Sequence, residues 1–389
     1  MKYFDHDHWM SQIKDHYVAE TPYMLTDLGI VRDHCQTFKT LLPDIKMYYA
    51  MKALPDKQVL QTINEVTEGF DAASIGEINE LLSLKVPAHK ITYSNPVKSI
   101  ESIHEAALRG IKMFAVQSRE EIDKIATLHK NLEIFVRVKM EDTHSAVPLS
   151  TKFGCSHDEA VEILQYAGNQ GLTPAGITFH VGSQQEGLAE WSKAIHKSQE
   201  LLRQANARGI AAKTINMGGG FPAHYHADDT TIEEVAREVN AAISAEKSFI
   251  YMAEPGRYIV AESSVIVATI IGVEERQHKP WLFLDVGVFQ AFSGAQRFEV
   301  FPHTPFYVDL PHSHPSTEEH KNYVLTGPSC DSKDILSYDA SLPAGLQVGD
   351  RIAFANTGAY TVVYGANFNG FKVPPRFFID SSKNKEGRE

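Results

Sequence analysis

Short apolar runs alternate with amphipathic stretches between about residues 45 and 257. The stretches SIGEINELLSL and SREEIDKIATL have apolar positions at helical spacing. The apolar runs have the continuous burial pattern of parallel strands that are covered on both faces. Eight runs have this character: MYYAMK, GFDAAS, ITYSNP, MFAVQS, IFVRVK, GITFHVGS, TINMGGG and FIYMAEPG. Eight strand and helix units predict a (β/α)8 barrel of the TIM type, whose usual size is about 250 residues. A doubly wound open sheet is the alternative, although no GxGxxG follows the first strand.

The pattern changes after Arg257, and the domain boundary is expected near residue 260. Runs such as YIVAESSVIVATIIGVEE, PWLFLDVGVF, KNYVLTGPS and DRIAFANTGAYTVV are β-branched and aromatic, with turns between them, which predicts a C-terminal all-β domain. The segment at 301–321 is rich in proline and histidine and is interpreted as a long loop. The expected division is an N-terminal segment (1–25) that packs on the β domain, a barrel (26–260) and a β domain (261–389).

Composition narrows the class of protein. The chain has 389 residues, of which 43% are hydrophobic and 22% charged, so a substantial core is expected. A net charge of -12 disfavours a nucleic-acid partner and favours small-molecule chemistry. The first twenty residues contain scattered charges rather than an apolar signal core, and the apolar stretch 258–273 contains Glu262 and is too short to span a bilayer. The sequence therefore predicts a cytoplasmic protein without a membrane segment.

Cysteine and histidine usage gives no sign of a disulfide framework or a metal site. Cys35, Cys155 and Cys330 are an odd number at wide, irregular spacing, and Cys35 and Cys155 are interpreted as small buried hydrophobes. Four histidines of the proline-rich segment lack regular ligand spacing, so a solvated loop is favoured over a metal centre: His303, His312, His314 and His320.

Lys52 is the exception in an otherwise apolar strand, where an ammonium is costly unless it is paired or modified. The active site of such a barrel is built from the carboxyl ends of its strands. Polar residues end every predicted strand: Lys52, Asp71, Ser74, Asn95, Gln117, Ser118, Arg137, Lys139, His180, Ser183, Gly218, Gly219, Gly220, Glu254 and Arg257. A lysine can form a Schiff base, an acid can hold a pyridine nitrogen protonated, and glycine amides can take a phosphate. This combination describes pyridoxal 5'-phosphate.

Nine stretches occur in one order over nearly the whole chain: YYAMKA, GFDAASIGEI, SNPVK, KFG, FHVGSQ, NMGGGFP, EPGRYIV, GPSCDSKD and GAYTVVYGANFNGF. In these the chain resembles the fold-type III pyridoxal-phosphate decarboxylases, a group with an alanine racemase-like fold that includes ornithine, lysine and diaminopimelate decarboxylases. The last two stretches are more similar to the ornithine and lysine branch.

The resemblance implies a role for individual residues. Lys52 would form the Schiff base, His180 would lie against the cofactor ring, and Glu254 would pair with the pyridine nitrogen. Phosphate binding would fall to Ser183, Gly218, Gly219, Gly220, Arg257 and Tyr360, with Asp71, Glu77 and Arg137 as supporting residues near the lysine and the ring. Simpler readings stay open: a lysine reaching solvent, a core histidine, a Glu254–Arg257 pair, a plain glycine turn and helix capping by Glu77.

The resemblance also implies a homodimer in which Cys330 and Asp331 complete the active site of the other subunit. Cys330 would govern protonation and Asp331 would meet the distal amine of the substrate. The expected reaction is decarboxylation of an L-amino acid with a distal amino group, such as ornithine or lysine, to a diamine, as in polyamine biosynthesis.

Two alternatives stay open. Arg297 lies beside Glu299 where relatives offer an acid, and a cation there would attract a distal carboxylate, as in diaminopimelate or a citrate-conjugated diaminopropionate of siderophore synthesis. A catalytically inactive regulatory homologue is the alternative of another class.

Overall fold

The computed structural model describes residues 4–18, 20–292, 301, 303–311, 313–315 and 319–383. Arg297, Glu299 and His312 therefore lie outside the described residues. The chain divides into two compact units. The β unit comprises residues 1–31, 224–229 and 259–389, and the barrel unit comprises residues 32–223 and 230–258.

The N-terminal segment contributes to the β unit. It forms α1 (His6–Asp15) and β1 (Tyr23–Asp27), and α2 (Leu28–Leu41) follows directly. Asp5 caps α1 by accepting the His8 amide at 3.0 Å. Trp9 and Ile13 face a core that also contains Val265 and Phe306, so burial of this apolar face holds α1 in place.

Ten strands lie between residues 45 and 253, all of which are described: β2 (Ile45–Ala50), β3 (Gly69–Ala72), β4 (Ile91–Tyr93), β5 (Met113–Val116), β6 (Glu133–Arg137), β7 (Ser145–Val147), β8 (Thr173–Thr178), β9 (Ser183–Gln185), β10 (Thr214–Asn216) and β11 (Ile250–Ala253). A closed parallel barrel forms in the order β10-β11-β2-β3-β4-β5-β6-β8, while β7 and β9 form a separate antiparallel pair. The barrel prediction is confirmed, because each of the eight predicted apolar runs supplies one barrel strand. The open-sheet alternative is wrong.

Helices follow the barrel strands: α3 (Lys57–Asn64), α4 (Ile75–Ser83), α5 (Ile100–Leu108), α6 (Arg119–Leu128), α7 (His157–Asn169), α8 (Leu188–Ala207) and α9 (Ile232–Ser244). Several begin at a side chain that accepts a backbone amide. Ser74 caps α4, Ser118 caps α6, and Ser156 and Thr231 form capping boxes with the third residue of α7 and α9.

The C-terminal chain begins with α10 (Arg257–Val260) and continues with β12 (Ser264–Arg276), β13 (Lys279–Leu284), β14 (Pro305–Val308), β15 (His320–Thr326), β16 (Ile335–Pro343), β17 (Arg351–Phe354) and β18 (Arg376–Ile379). Within the described residues these strands form one sheet in the order β14-β17-β12-β13-β15-β16, and β1 pairs with both β12 and β18. The predicted C-terminal β domain is confirmed.

Two local predictions need correction. The proline-rich segment is not a loop throughout, because Pro305–Val308 pairs with Arg351–Phe354; Phe306 and Val308 alternate as buried residues, which the prolines on either side obscured. The run YIVAESS begins as helix at residues 257–260 and becomes strand only at Ser264. None of the helices in the described part of the chain is long and apolar enough to cross a membrane.

Candidate active site

Lys52 lies in a single 3-10 turn, Met51–Ala53, directly after β2. Its side chain is 49% exposed, and Nζ lies 3.1 Å from Oδ2 of Asp71, whose side chain is 1% exposed in β3. Oδ1 of Asp71 is buried and has no hydrogen-bond partner in the part of the chain that is described. The lysine thus lies at the end of the barrel beside a buried carboxylate, one oxygen of which can still accept a hydrogen bond. This pairing explains why a charged residue follows an apolar strand.

Glu254 follows β11 and is buried. Its Oε1 accepts hydrogen bonds from Ser94 Oγ at 3.0 Å and from Asn216 Nδ2 at 2.6 Å. Burial and the nearby Asp71 raise the pKa of Glu254 to about 7, against the lowering effects of Lys52 and the two donors. A carboxyl group poised near neutrality can accept or hold a proton under ordinary conditions.

The His180 imidazole faces the glycine turn that follows β10. Its Nδ1 accepts the Gly182 amide at 3.0 Å, which places the ring hydrogen of the neutral form on Nε2. Burial, Arg137 and Lys52 hold the pKa of His180 well below its usual value. The histidine is therefore neutral, and its ring lies so close to Gly219 that a Cβ on that residue would sit 3.2 Å from Nε2.

The turn Gly218–Gly220 requires glycine. Gly218 and Gly220 have φ values of +64° and +110°, and an added Cβ would meet the Phe179 carbonyl oxygen at 2.3 Å or the Gly182 carbonyl oxygen at 2.4 Å. Within the described residues, the amides of Gly219 and Gly220 donate to no protein acceptor. Such a turn can bind an anion through its amides.

Arg257 is buried, and its Nε donates to Ser183 Oγ at 3.3 Å. A guanidinium beside a hydroxyl supplies several donors for a phosphate. The alternative of a structural Glu254–Arg257 pair does not fit the side-chain hydrogen bonds of Glu254 in the described residues, which come from Ser94 and Asn216.

Arg137 ends β6, and its guanidinium lies 5.5 Å from the centre of the Phe153 ring. Burial lowers its pKa, while Glu254 and Asp71 act in the opposite direction, so it shares the electrostatic environment of both acids. Glu77 accepts the Ala73 amide at 2.5 Å, and burial together with Asp71 raises its pKa. Since this amide precedes α4, the capping interpretation of Glu77 fits its contact.

Other residues expected at the strand ends have local structural contacts instead. Ser74 and Ser118 are helix caps, Asn95 Oδ1 accepts the Val97 amide at 3.3 Å, and Gln117 Oε1 accepts the Gly154 amide at 2.8 Å. Ser94 and Asn216, the two donors to Glu254, were not among the site residues predicted from the sequence. Their only signals were positions in the stretches SNPVK and NMGGGFP.

Three predicted residues belong to the β unit and are described within it. Tyr360 is partly buried with φ +57°, Cys330 is exposed with Sγ 3.5 Å from Asn369 Oδ1, and Asp331 Oδ1 accepts the Lys333 amide at 2.8 Å. The buried Asp334 carboxylate holds the base of this loop by accepting the amides of Ser329 and Val288.

Comparisons with known proteins agree with this chemistry. The family model for the pyridoxal-dependent decarboxylase, pyridoxal binding domain, matches residues 28–261. A lysine/ornithine decarboxylase of Selenomonas ruminantium is 30% identical over 95% of this chain and 92% of its own length. The crystal structure of Paramecium bursaria Chlorella virus arginine decarboxylase bound to agmatine has a TM-score of 0.86 at 28% identity, over 96% of this chain and 100% of that one. Antizyme inhibitor 2 of Xenopus laevis is 32% identical over 91% of this chain and 80% of its length.

The barrel and its site define a pyridoxal-phosphate-dependent amino-acid decarboxylase. The chain belongs to the pyridoxal-dependent decarboxylase family, on the side of the ornithine and lysine decarboxylases. The residues present fit the cofactor. Asp71 Oδ1 and the two glycine amides are unused in the described chain, the turn excludes side chains, and Lys52 supplies an accessible amine.

Proposed function

We propose that this protein decarboxylates an L-amino acid that carries a distal amino group, of the size of ornithine or lysine, and releases a diamine and CO2. The observation that carries the proposal is the grouping of Lys52, Asp71 and Glu254 at one end of the barrel. The motif around Asp331 supports the choice of a cationic substrate, since a partly exposed carboxylate attracts a distal ammonium.

In the proposed reaction, Lys52, Asp71, Glu254 and His180 would have different roles. Bound pyridoxal phosphate supplies an electron sink for the electron pair left when CO2 departs. Lys52 would offer the nucleophilic amine, and Asp71, which accepts a hydrogen bond from it at 3.1 Å, would orient it. Glu254 holds a proton at the ring nitrogen, which keeps the electron sink effective. His180, being neutral, would lie against the ring without adding a positive charge.

Cofactor phosphate would be bound by Ser183, Arg257 and the turn Gly218–Gly220. The turn provides two open amides, and the guanidinium provides charge-assisted hydrogen bonds. Tyr360 is proposed to add its hydroxyl to the same phosphate on the strength of the motif GAYTVVYGANFNGF.

We also propose a homodimer in which Cys330 and Asp331 of each subunit complete the site of the other. The support is the resemblance of the motif GPSCDSKD, together with the exposure of Cys330 on its loop. The cytoplasmic location stays a prediction of the sequence.

A screen of CO2 release tests the substrate. The holoenzyme is offered L-ornithine, L-lysine, L-arginine, diaminopimelate and a citrate-conjugated diaminopropionate, each at the same concentration. The highest kcat/KM is expected for ornithine or lysine. A preference for either carboxylate-bearing substrate contradicts this proposal and favours the alternative raised by Arg297, which lies outside the described residues together with Glu299.

The inactive regulatory homologue is the candidate of another class, because Antizyme inhibitor 2 is among the similar proteins. The paired Lys52 and Asp71, and the acid Glu254 with its donors, favour an active enzyme here. Absence of CO2 release from every substrate, in protein that binds the cofactor, would favour the regulatory role.

A further inference from the structure

Asn216 links two parts of the candidate site with one side chain. It ends β10 and is buried. Its Nδ2 donates to Oε1 of Glu254 at 2.6 Å, while its Oδ1 accepts the amide of Gly218 at 3.0 Å. The amide group thus bridges the carboxyl group on one side and the glycine turn on the other.

The backbone strengthens the same link. The Glu254 amide donates to the Gly218 carbonyl oxygen at 2.7 Å. A Cβ on Gly219 would lie 2.8 Å from the Glu254 carbonyl oxygen, so the turn and the acid are in close contact. A change in the Asn216 side chain would therefore act on two adjoining, tightly packed groups.

The two oxygens of Glu254 are not equivalent. Oε1 accepts from Asn216 and also from Ser94 Oγ at 3.0 Å. The single proton of Ser94 Oγ has two acceptors within reach, Thr92 Oγ1 at 3.2 Å and Glu254 Oε1 at 3.0 Å, and the shorter contact with a carboxylate is the stronger hydrogen bond. Among the described residues no donor is bonded to Oε2, and Oε2 is not a buried unsatisfied atom. Oε2 is therefore the oxygen that faces the site.

We propose that Asn216 is a positioning residue that fixes Glu254 relative to the glycine turn, so that Oε2 meets the ring nitrogen of pyridoxal phosphate while the turn takes its phosphate. This inference rests on the cofactor contacts of the proposed function. It adds that the distance between Glu254 and the glycine turn depends on the side chain of Asn216. Ser94 is the second donor to Oε1, and together the two donors leave Oε2 for the cofactor.

The same donors favour the ionised acid. The titratable groups around Glu254 are Asp71 on β3, Lys52 after β2, Arg137 on β6 and His180 after β8. Asp71 and burial favour the protonated form, while Lys52, Arg137 and the two hydrogen bonds favour the carboxylate. Removing either donor should therefore raise the pKa of Glu254, and a protonated Oε2 cannot accept the hydrogen of a pyridinium nitrogen.

Cofactor binding to the apoprotein tests the inference without any substrate. Pyridoxal phosphate is compared with the analogue in which carbon replaces the ring nitrogen. Both dissociation constants are measured by absorbance from pH 5.5 to 9, a range that extends roughly two units to either side of neutrality. Their ratio isolates the contact with the ring nitrogen. In the wild-type protein the preference for pyridoxal phosphate should grow as the pH rises through the titration of Glu254.

Asn216→Leu replaces the amide by an apolar side chain of similar shape. The preference for pyridoxal phosphate at pH 7 should fall roughly ten-fold or more, by loss of one hydrogen bond to a charged group. The midpoint of the pH dependence of this preference should move to higher pH. The affinity for the analogue should fall as well, because the Gly218 amide loses its acceptor. Ser94→Ala should move the midpoint in the same direction but leave the affinity for the analogue unchanged, and it serves alone if Asn216→Leu does not fold.

Asn240→Leu is the matched control. Asn240 lies on α9 and donates to the Leu41 carbonyl oxygen at 2.8 Å, so the same chemical change is made away from Glu254.

Equal losses of affinity for both cofactors in Asn216→Leu, with an unmoved midpoint, would overturn the inference and leave Asn216 a support of the fold. An unmoved midpoint in Ser94→Ala would overturn the assignment of Oε2. Equal affinity of the wild-type protein for both cofactors would instead overturn the proposed role of Glu254, on which the inference rests.

Discussion

Two acids and one lysine influence one another electrostatically at the end of the barrel, and their surroundings differ. Asp71 pairs with Lys52, whereas the donors to Glu254 in the described part of the chain are the neutral groups of Ser94 and Asn216, both on Oε1. Burial therefore outweighs the hydrogen bonds at Glu254 and brings its pKa to about 7. Asp71 thus pairs with the amine of Lys52, whereas Glu254 can exchange a proton near neutrality.

Lys52→Ala should abolish the absorbance band of the bound cofactor and lower kcat by several orders of magnitude, since no other amine is paired with Asp71 in the described residues. Borohydride treatment of the wild-type protein, followed by peptide mapping, should find the pyridoxal group on Lys52. Lys57→Ala, at the start of α3, is the control and should leave both properties unchanged. A label on a different lysine would refute the assignment.

Glu254→Gln should change the pH dependence of apoprotein stability. The pKa of Glu254 is higher in the folded protein than its ordinary value of 4.5, so between pH 4.5 and about 7 the folded state binds more protons than the unfolded state. Wild-type stability should therefore fall as the pH rises through this window, relative to the variant, by an amount on the order of 3 kcal/mol. Urea unfolding at several pH values measures the difference. Parallel curves for the two proteins would contradict the raised pKa.

At the scale of elements, the repeating strands and helices were predictable from the sequence, whereas side-chain contacts between strands far apart in the sequence were not. The strands were found because burial on both faces leaves a continuous apolar run, and Lys52 was found because a charge in such a run needs a reason. Ser94 was missed because it follows β4, three strands away from β11 in the barrel order, and Asn216 was missed because the apolar pattern does not show that β10 pairs with β11. Ser74 and Ser118 were expected at the site because each follows a strand, but a serine in that position can equally well cap the next helix, and both do so.

Lys98 shows how the loop after β4 is held. Its ammonium is fully buried and donates to the carbonyl oxygens of Asn95 at 2.8 Å and Ala115 at 2.6 Å, and it lies 3.2 Å from Glu121 Oε1. Burial lowers its pKa to about 8. The loop fixed in this way contains Ser94, so an ion pair outside the site supports one of the donors to Glu254.

Lys98→Met should destabilise the protein by about 3 kcal/mol, because it removes a buried ion pair and leaves the Asn95 and Ala115 carbonyl oxygens without this donor, although Glu121 keeps its contacts with Lys124 and with the backbone amide of residue 98. Urea or thermal unfolding of the apoprotein measures the loss. Lys193→Met is the control, since Lys193 is largely exposed and lies 3.7 Å from Glu190, and should cost less than about 1 kcal/mol. A small effect at Lys98 would show that the loop is held by its backbone instead.

At the scale of the whole molecule, the candidate catalytic groups are divided between the two units. Lys52 and Glu254 belong to the barrel unit, and Cys330 and Asp331 belong to the β unit, on a loop whose base is fixed by Asp334. The proposed dimer takes the first pair from one chain and the second pair from its partner. Mutant subunits can then complement each other only in certain combinations.

Mixed dimers of Lys52→Ala and Cys330→Ala should regain activity, although each variant alone is inactive. In every mixed dimer one site has both native residues, and random exchange from equal amounts makes half of the dimers mixed, so roughly a quarter of wild-type activity should return. Lys52→Ala mixed with Glu254→Gln is the control, because both changes lie in the barrel unit and no native site can form. CO2 release is measured after subunit exchange has been verified by size and mass. Exchange without recovered activity in the first mixture would place Cys330 and Lys52 in the same chain's site and reject the shared arrangement.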